Sequence, residues 1–186
     1  FSDIQSPMNM LSYLVPVTNL FYDIIDEPEK VEEAAGLLTD LLTDFLKEQR
    51  KLIGDALARP GHGFASSREF TGVGLSNDLS IMLQEDDYED VFKSCDERLG
   101  DEFGGVVYHS CGVWEKKINM VKNYRNVFMA DGAFTPETDP APNRPEVFGD
   151  AFAGSGIILN ARAVGSCETA MDAFSKLWRP GQKLIC

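Results

Sequence analysis

At 186 residues with 44% hydrophobic content, the chain is long enough to bury the core of one domain, and it has no run of about 18 apolar residues to span a bilayer as a helix. Its formal net charge of -13, from 30 acidic against 17 basic residues, leaves no basic stripe for phosphates and so excludes nucleic acid and anionic membranes as partners. The four cysteines, Cys95, Cys111, Cys167 and Cys186, are too scattered for a disulfide framework, so they read as reduced thiols of a cytoplasmic protein.

In chain order, Phe1 to Met8 is expected as a strand running to a turn at Ser6-Pro7, followed by a mixed segment through Val17. The start Phe1-Ser2-Asp3-Ile4 has neither an initiator Met nor the layout of a signal peptide, the pattern of a processed or cut chain. The strongest helix signal comes next. Pro28 sits near the first turn with Asp26, Glu27 and Glu29 at the positive end, and Val31, Ala34, Ala35, Leu38, Leu41, Leu42, Phe45 and Leu52 recur at helical spacing until Gly54. Such an apolar stripe needs a sheet to cover.

Gly61 to Ser67 is a second candidate strand, and Gly72-Val73-Gly74-Leu75-Ser76-Asn77-Asp78 is expected as a polar, glycine-rich loop. Tyr88, Val91, Phe92 and Leu99 mark a helix to Gly100, and Gly105 to Tyr108 a strand. Ile118, Met120, Val121 and Tyr124 mark another helix, and Asn126 to Asp131 another strand. After the Pro-rich loop Thr135 to Pro145, a helix opens at Pro145, a strand covers Gly156 to Val164, and a last helix runs from about Glu168 to Leu177, stopping before Pro180-Gly181. The acidic runs read as solvated faces and helix starts.

Strands alternating with helices predict an α/β fold with a parallel sheet of about five βα units. A closed eight-stranded barrel takes about 250 residues. The expectation is therefore a single domain over residues 1–186, the C-terminal part of a TIM (β/α)8 barrel lacking roughly its first three units.

His109-Ser110-Cys111-Gly112 carries the chemistry. Residues two apart on a strand point to one face, so an imidazole and a thiol stand together where the strand ends. A catalytic zinc takes three protein ligands and an open position. Cys167, in Gly165-Ser166-Cys167-Glu168-Thr169 after the next strand-like run but one, is the best third candidate, because parallel strands share a C-terminal edge. The other reading is a packed free cysteine and a hydrogen-bonded core histidine.

The succession of a helix like Pro28 to Leu52, Gly74-Leu75-Ser76-Asn77-Asp78, His109-Ser110-Cys111-Gly112 and a distant Gly165-Ser166-Cys167 resembles the uroporphyrinogen decarboxylase superfamily, in particular its zinc-dependent, corrinoid-linked methyltransferase branch. The resemblance covers nearly the whole chain from Ser6-Pro7 onward. It implies zinc on His109, Cys111 and Cys167, a small thiol substrate, a corrinoid (methylcobamide) or corrinoid protein as methyl donor, and a pocket completed by a chain carrying the N-terminal half or by a homodimer. Glu168 reads as a fourth ligand or, in preference, a helix N-terminal acid. His62, Asn77, Asp78, Asp131 and Arg162, near expected strand ends, are further catalytic or substrate-binding candidates. Two alternatives stand beside this. One is a decarboxylase acting on porphyrinogen carboxylates without a metal, although its late His-Gly-Leu type motif is replaced here by Ala163-Val164-Gly165-Ser166-Cys167, and the likeness of Phe1-Ser2-Asp3-Ile4 to its aspartate segment is treated as chance. The other is a non-catalytic remnant of the same fold.

Overall fold

A computed structural model describes residues 4–61 and 65–185. Three helices come first: α1 (Pro7–Leu14), α2 (Val17–Asp26) and α3 (Pro28–Ile53). Strand β1 (Val73–Ser76) is followed by α4 (Glu85–Tyr88), a π turn (Glu89–Lys93) and α5 (Ser94–Phe103). Strands β2 (Val106–His109), β3 (Val127–Ala133), β4 (Ile158–Arg162) and β5 (Lys183–Ile185) then alternate with α6 (Ile118–Lys122), α7 (Pro145–Phe152) and α8 (Cys167–Leu177).

The five strands form one parallel sheet in the order β1-β2-β3-β4-β5. Spatial order follows sequence order without reversal, so the sheet has no topological switch point, and every C-terminal strand end lies on one edge. This is the α/β, parallel βα architecture expected. The two faces are buried differently. Tyr108, Ala130 and Leu159 belong to the large core shared with the helices, whereas Val107 and Met129 form a small cluster on the other face with Phe70, Phe128, Ile158 and Ile185.

The long helix forms where expected, with Pro28 in its first turn and Gly54 at its C-cap. Other expectations are corrected. Within the Gly72–Asp78 segment, Val73–Ser76 is not loop but strand β1, with Val73 and Leu75 buried, paired with β2 from Val73↔Val106 to Ser76↔His109. A four-residue strand buried on both faces shows no alternation, and its glycines mimic a loop. Gly72 itself is there for space: a Cβ would lie 2.3 Å from the Phe128 ring and 2.8 Å from the Gly105 carbonyl, at a φ of +88°.

Ser6-Pro7 is a helix start rather than a turn. The Ser6 side chain accepts a hydrogen bond from the Asn9 N–H, and Pro7 fills the first helical position. Of the strand expected before it, the described part makes one parallel bridge, Gln5↔Ser76, and residues 1–3 lie outside the described residues. The Gly61–Ser67 strand is reduced, in its described part, to the antiparallel bridge Arg59↔Ser67. Helix α1 occupies the segment read as mixed through Val17, α2 lies where no element was expected, and three-residue β5 is too short to leave a pattern.

Beneath the C-terminal edge, Trp114 packs edge-on against Phe148 with ring centroids 4.5 Å apart and donates its indole N–H to the Asp131 carbonyl at 3.1 Å. A second buried group is polar. Asp96 on α5 accepts hydrogen bonds from Tyr88 (2.6 Å), Tyr124 (2.9 Å) and Asn77 (3.0 Å).

Burial raises the Asp96 pKa and the neighbouring Glu97 charge adds to that, while the three donors oppose it, and the balance brings it from 3.8 to about 6. Between those values the folded chain holds a proton that the unfolded chain has lost, so Asp96 makes stability fall as pH rises from about 4 to 6, by up to roughly 3 kcal/mol. Urea unfolding of wild type and Asp96→Asn across this range is expected to diverge as pH rises, with the variant gaining relative stability. Parallel pH profiles would contradict the buried charge.

Candidate metal centre

Four adjacent strands deliver side chains to one edge of the sheet. Asn77 and Asp78 follow β1, His109 ends β2 with Cys111 two residues on, Asp131 lies on β3, and Asn160 and Arg162 lie on β4. Residues in register meet there: Ser76 opposite His109, and Asp131 opposite Asn160.

His109 is 5% exposed and its Nδ1 lies 2.7 Å from Asp131 Oδ2. A carboxylate only accepts, so Nδ1 carries a proton and donates it to Asp131. That leaves Nε2 turned to Cys111 Sγ at 3.4 Å and to Asp78 Oδ1 at 3.7 Å. The same Asp78 oxygen accepts the Cys111 backbone N–H at 2.7 Å, while its other oxygen accepts from Ser76 Oγ (3.0 Å) and Asn9 Nδ2 (3.2 Å). The Gly112 N–H is tied to Asp139 Oδ2 at 2.8 Å. The loop after β2 is therefore fixed from both sides.

Among the described residues, Asp78, His109 and Cys111 form a group whose ligand atoms all lie within 4.8 Å of one another. Their donor set fits zinc. With Zn–N and Zn–O near 2.0–2.2 Å and Zn–S near 2.3 Å, tetrahedral geometry puts neighbouring donors about 3.3–3.6 Å apart, close to the spacings around His109 Nε2. Cys111 is exposed and Asp78 partly so, which leaves an approach for a further ligand.

Burial alone would depress the His109 pKa. The hydrogen bonds to Asp131 and Cys111 and their charges outweigh it, raising the value to about 9. For Asp78, burial is likewise outweighed, here by the Cys111 N–H and the His109 charge, and its carboxyl is held below the usual range. Without metal at neutral pH, the centre pairs an imidazolium with carboxylates on both sides. A metal ion would take the place of the Nε2 proton.

Of the residues singled out by sequence, His109, Cys111, Asp78, Asp131 and Arg162 come together, and Cys167 does not join the ligand group. Cys167 is the exposed first residue of α8, whose start is fixed by Ser166 accepting the Thr169 N–H at 3.1 Å. It follows β4, which is separated from β2 by β3, and strands two places apart are roughly 10 Å distant. Glu168 is exposed in the first turn of α8, as a helix N-terminal acid would be. The Asn77 side chain is buried and turned to Asp96 rather than to the ligand group. His62 lies outside the described residues. Sequence reasoning missed Asn9, Ser76, Asp139 and Asp96, and only the spacing of Ser76 and Asp78 on one strand face could have pointed to any of them.

Arg162 donates from Nε to Asp131 Oδ2 at 2.8 Å, and among the described residues its buried Nη2 has no hydrogen-bond partner. A scan against protein-family models and searches of curated proteins and of solved structures found no match.

Replacing Asp131 with Asn keeps the shape but removes the charge that holds His109 and Arg162. The His109 resonance in an NMR titration is expected to move from about 9 back towards 6.5, and the variant to lose about 3 kcal/mol of stability. An unshifted titration would show that Asp131 does not govern the imidazole.

Proposed function

We propose that the protein is a zinc-dependent, methyltransferase-like enzyme that activates a small thiol to accept a methyl group from a corrinoid, with Asp78, His109 and Cys111 as the metal ligands. The carrying observation is the convergence of Cys111 Sγ and Asp78 Oδ1 on a histidine nitrogen whose ring is oriented by a buried carboxylate. The single-direction parallel sheet, with its ligands on the C-terminal edge, agrees with a portion of a (β/α)8 barrel of the superfamily the sequence resembles.

When bound, zinc would lower the pKa of a substrate thiol, so that the thiolate takes the methyl group while the corrinoid cobalt keeps the electron pair of the broken bond. The protein's own contributions are positional and electrostatic. Asp131 fixes the tautomer of His109 and raises its basicity as a ligand. Asp78 and Cys111 bring two negative charges against one dication, which preserves the nucleophilicity of an added thiolate. Arg162 donates to the same Asp131 oxygen as His109 and balances its charge. Ile81, beside Gly112, also borders a cavity of about 480 Å³ whose wall is largely polar, with Gln84, Glu85, Asp86 and Lys116 beside Met82 and Val113.

A second reading rests on the same distances. Cys111, His109 and Asp131 follow the order of nucleophile, base and orienting carboxylate, with Sγ 3.4 Å from Nε2 and Nδ1 2.7 Å from the carboxylate. In that case the thiol acts without a metal.

Elemental mass spectrometry after chelation and zinc reconstitution under reducing conditions separates the two. About one zinc per chain is expected in the wild type and in Cys167→Ser, with most of it lost in Cys111→Ser and His109→Ala and a reduced affinity in Asp78→Asn. Full zinc content in Cys111→Ser would overturn the ligand assignment. No zinc in the wild type would leave the thiol nucleophile as the better reading.

A further inference from the structure

Asp78 and His109 sit on a buried polar brace that touches neither of them through its side chains. Asn77 is fully buried, and its backbone N–H, its carbonyl and its side-chain amide N–H are hydrogen-bonded. Its N–H donates to the His109 carbonyl at 2.7 Å, and its carbonyl accepts from the Ser80 N–H (3.0 Å) and Ser80 Oγ (2.6 Å). Its side-chain amide donates to Asp96 Oδ2 at 3.0 Å, and its Oδ1 lies 2.8 Å from the Tyr88 hydroxyl. Asn77 thus joins the ends of β1 and β2 between the two ligands, bonded to the backbone of one and preceding the other in the chain.

Asp96 organises this brace at a cost. The hydroxyls of Tyr88 and Tyr124 and the amide of Asn77 all converge on its Oδ2, while Oδ1 is buried with no partner among the described residues. A buried carboxylate with an unpartnered oxygen is unfavourable, and an apolar side chain of similar size would serve the core as well or better. Tyr88 and Asp96 also flank the π turn Glu89–Lys93, a departure from regular helix that shifts the register between them. The π turn sets Val91 and Phe92 into the core, whereas the carboxylate adds nothing to packing and makes sense as a means of holding Asn77 in one orientation.

We infer that Asp96 is a positioning residue of the metal centre, acting through Asn77 to set the spacing between Asp78 and His109. The inference rests on the zinc-site reading proposed above. The carboxylate touches no ligand, so its effect on the metal must pass through the Asn77 amide.

Co(II) serves as the probe, because its visible absorption reports both affinity and coordination geometry. In wild type, bands of a thiolate-ligated, tetrahedral ion are expected. Asp96→Ala is expected to weaken Co(II) binding by about tenfold and to shift the bands, and Asn77→Ala to do the same. The double variant is expected to be no worse than either single one, since the two residues act in series. Leu46→Ala, a loss of core packing in α3 away from the brace, controls for destabilisation and should leave the bands unshifted. Wild-type binding with unchanged Co(II) spectra and affinity in Asp96→Ala would overturn the positioning role alone, as would additive losses in the double variant. Should Asp96→Ala not fold, Tyr124→Phe, which removes one donor to Asp96, must still shift the bands. Absence of Co(II) binding in wild type would overturn the zinc-site reading and this inference together.

Discussion

Asp131 is a carboxylate with no exposed surface, and the C-terminal edge of the sheet is arranged around it. A buried charge survives only if its oxygens are paired. Here His109 on β2 and Arg162 and Asn160 on β4 supply the partners at 2.6–2.8 Å, while Trp114 holds the Asp131 carbonyl. Three strand ends are thereby locked to one another by side chains as well as by backbone pairing. The orientation of the His109 ring follows from that lock, and the position of Nε2 follows from the ring.

From Nε2 outward the remaining geometry is set by short backbone connections. Cys111 reaches the imidazole because it is two residues beyond it, and its own N–H binds Asp78. Asp78 in turn is steadied by Ser76 of β1 and by Asn9 of α1, so the first helix also contributes to the centre. A metal held there would face a partly exposed approach, since Cys111 is exposed and Asp78 half-buried.

Much of this was legible in residue patterns, for identifiable reasons. Helix α3 declares itself because 26 residues repeat one apolar stripe between Pro28 and Gly54. The nearness of His109 and Cys111 was legible from their spacing, although β2 ends at His109 and Cys111 lies in the loop after it, not on the strand. Strand β1 was not, since Gly-Val-Gly-Leu-Ser carries no alternation once both faces are buried. Ser6-Pro7 is ambiguous between a turn and a helix cap until the Asn9 N–H is seen to bond the serine. The third ligand was the hardest. Asp78 and Cys167 both follow strands of one edge, and only the strand order, with β1 beside β2 and β4 two places away, favours Asp78. Asp96 offered no signal, because nothing local marks an acid in an amphipathic helix as buried.

Zinc-edge X-ray absorption of the reconstituted protein tests the central claim most directly. The ligand set proposed here gives one sulfur at about 2.3 Å, with nitrogen and oxygen donors at about 2.0–2.2 Å. Two sulfur ligands in the protein free of added thiol would bring a second cysteine to the metal and contradict the assignment of Asp78 in its place.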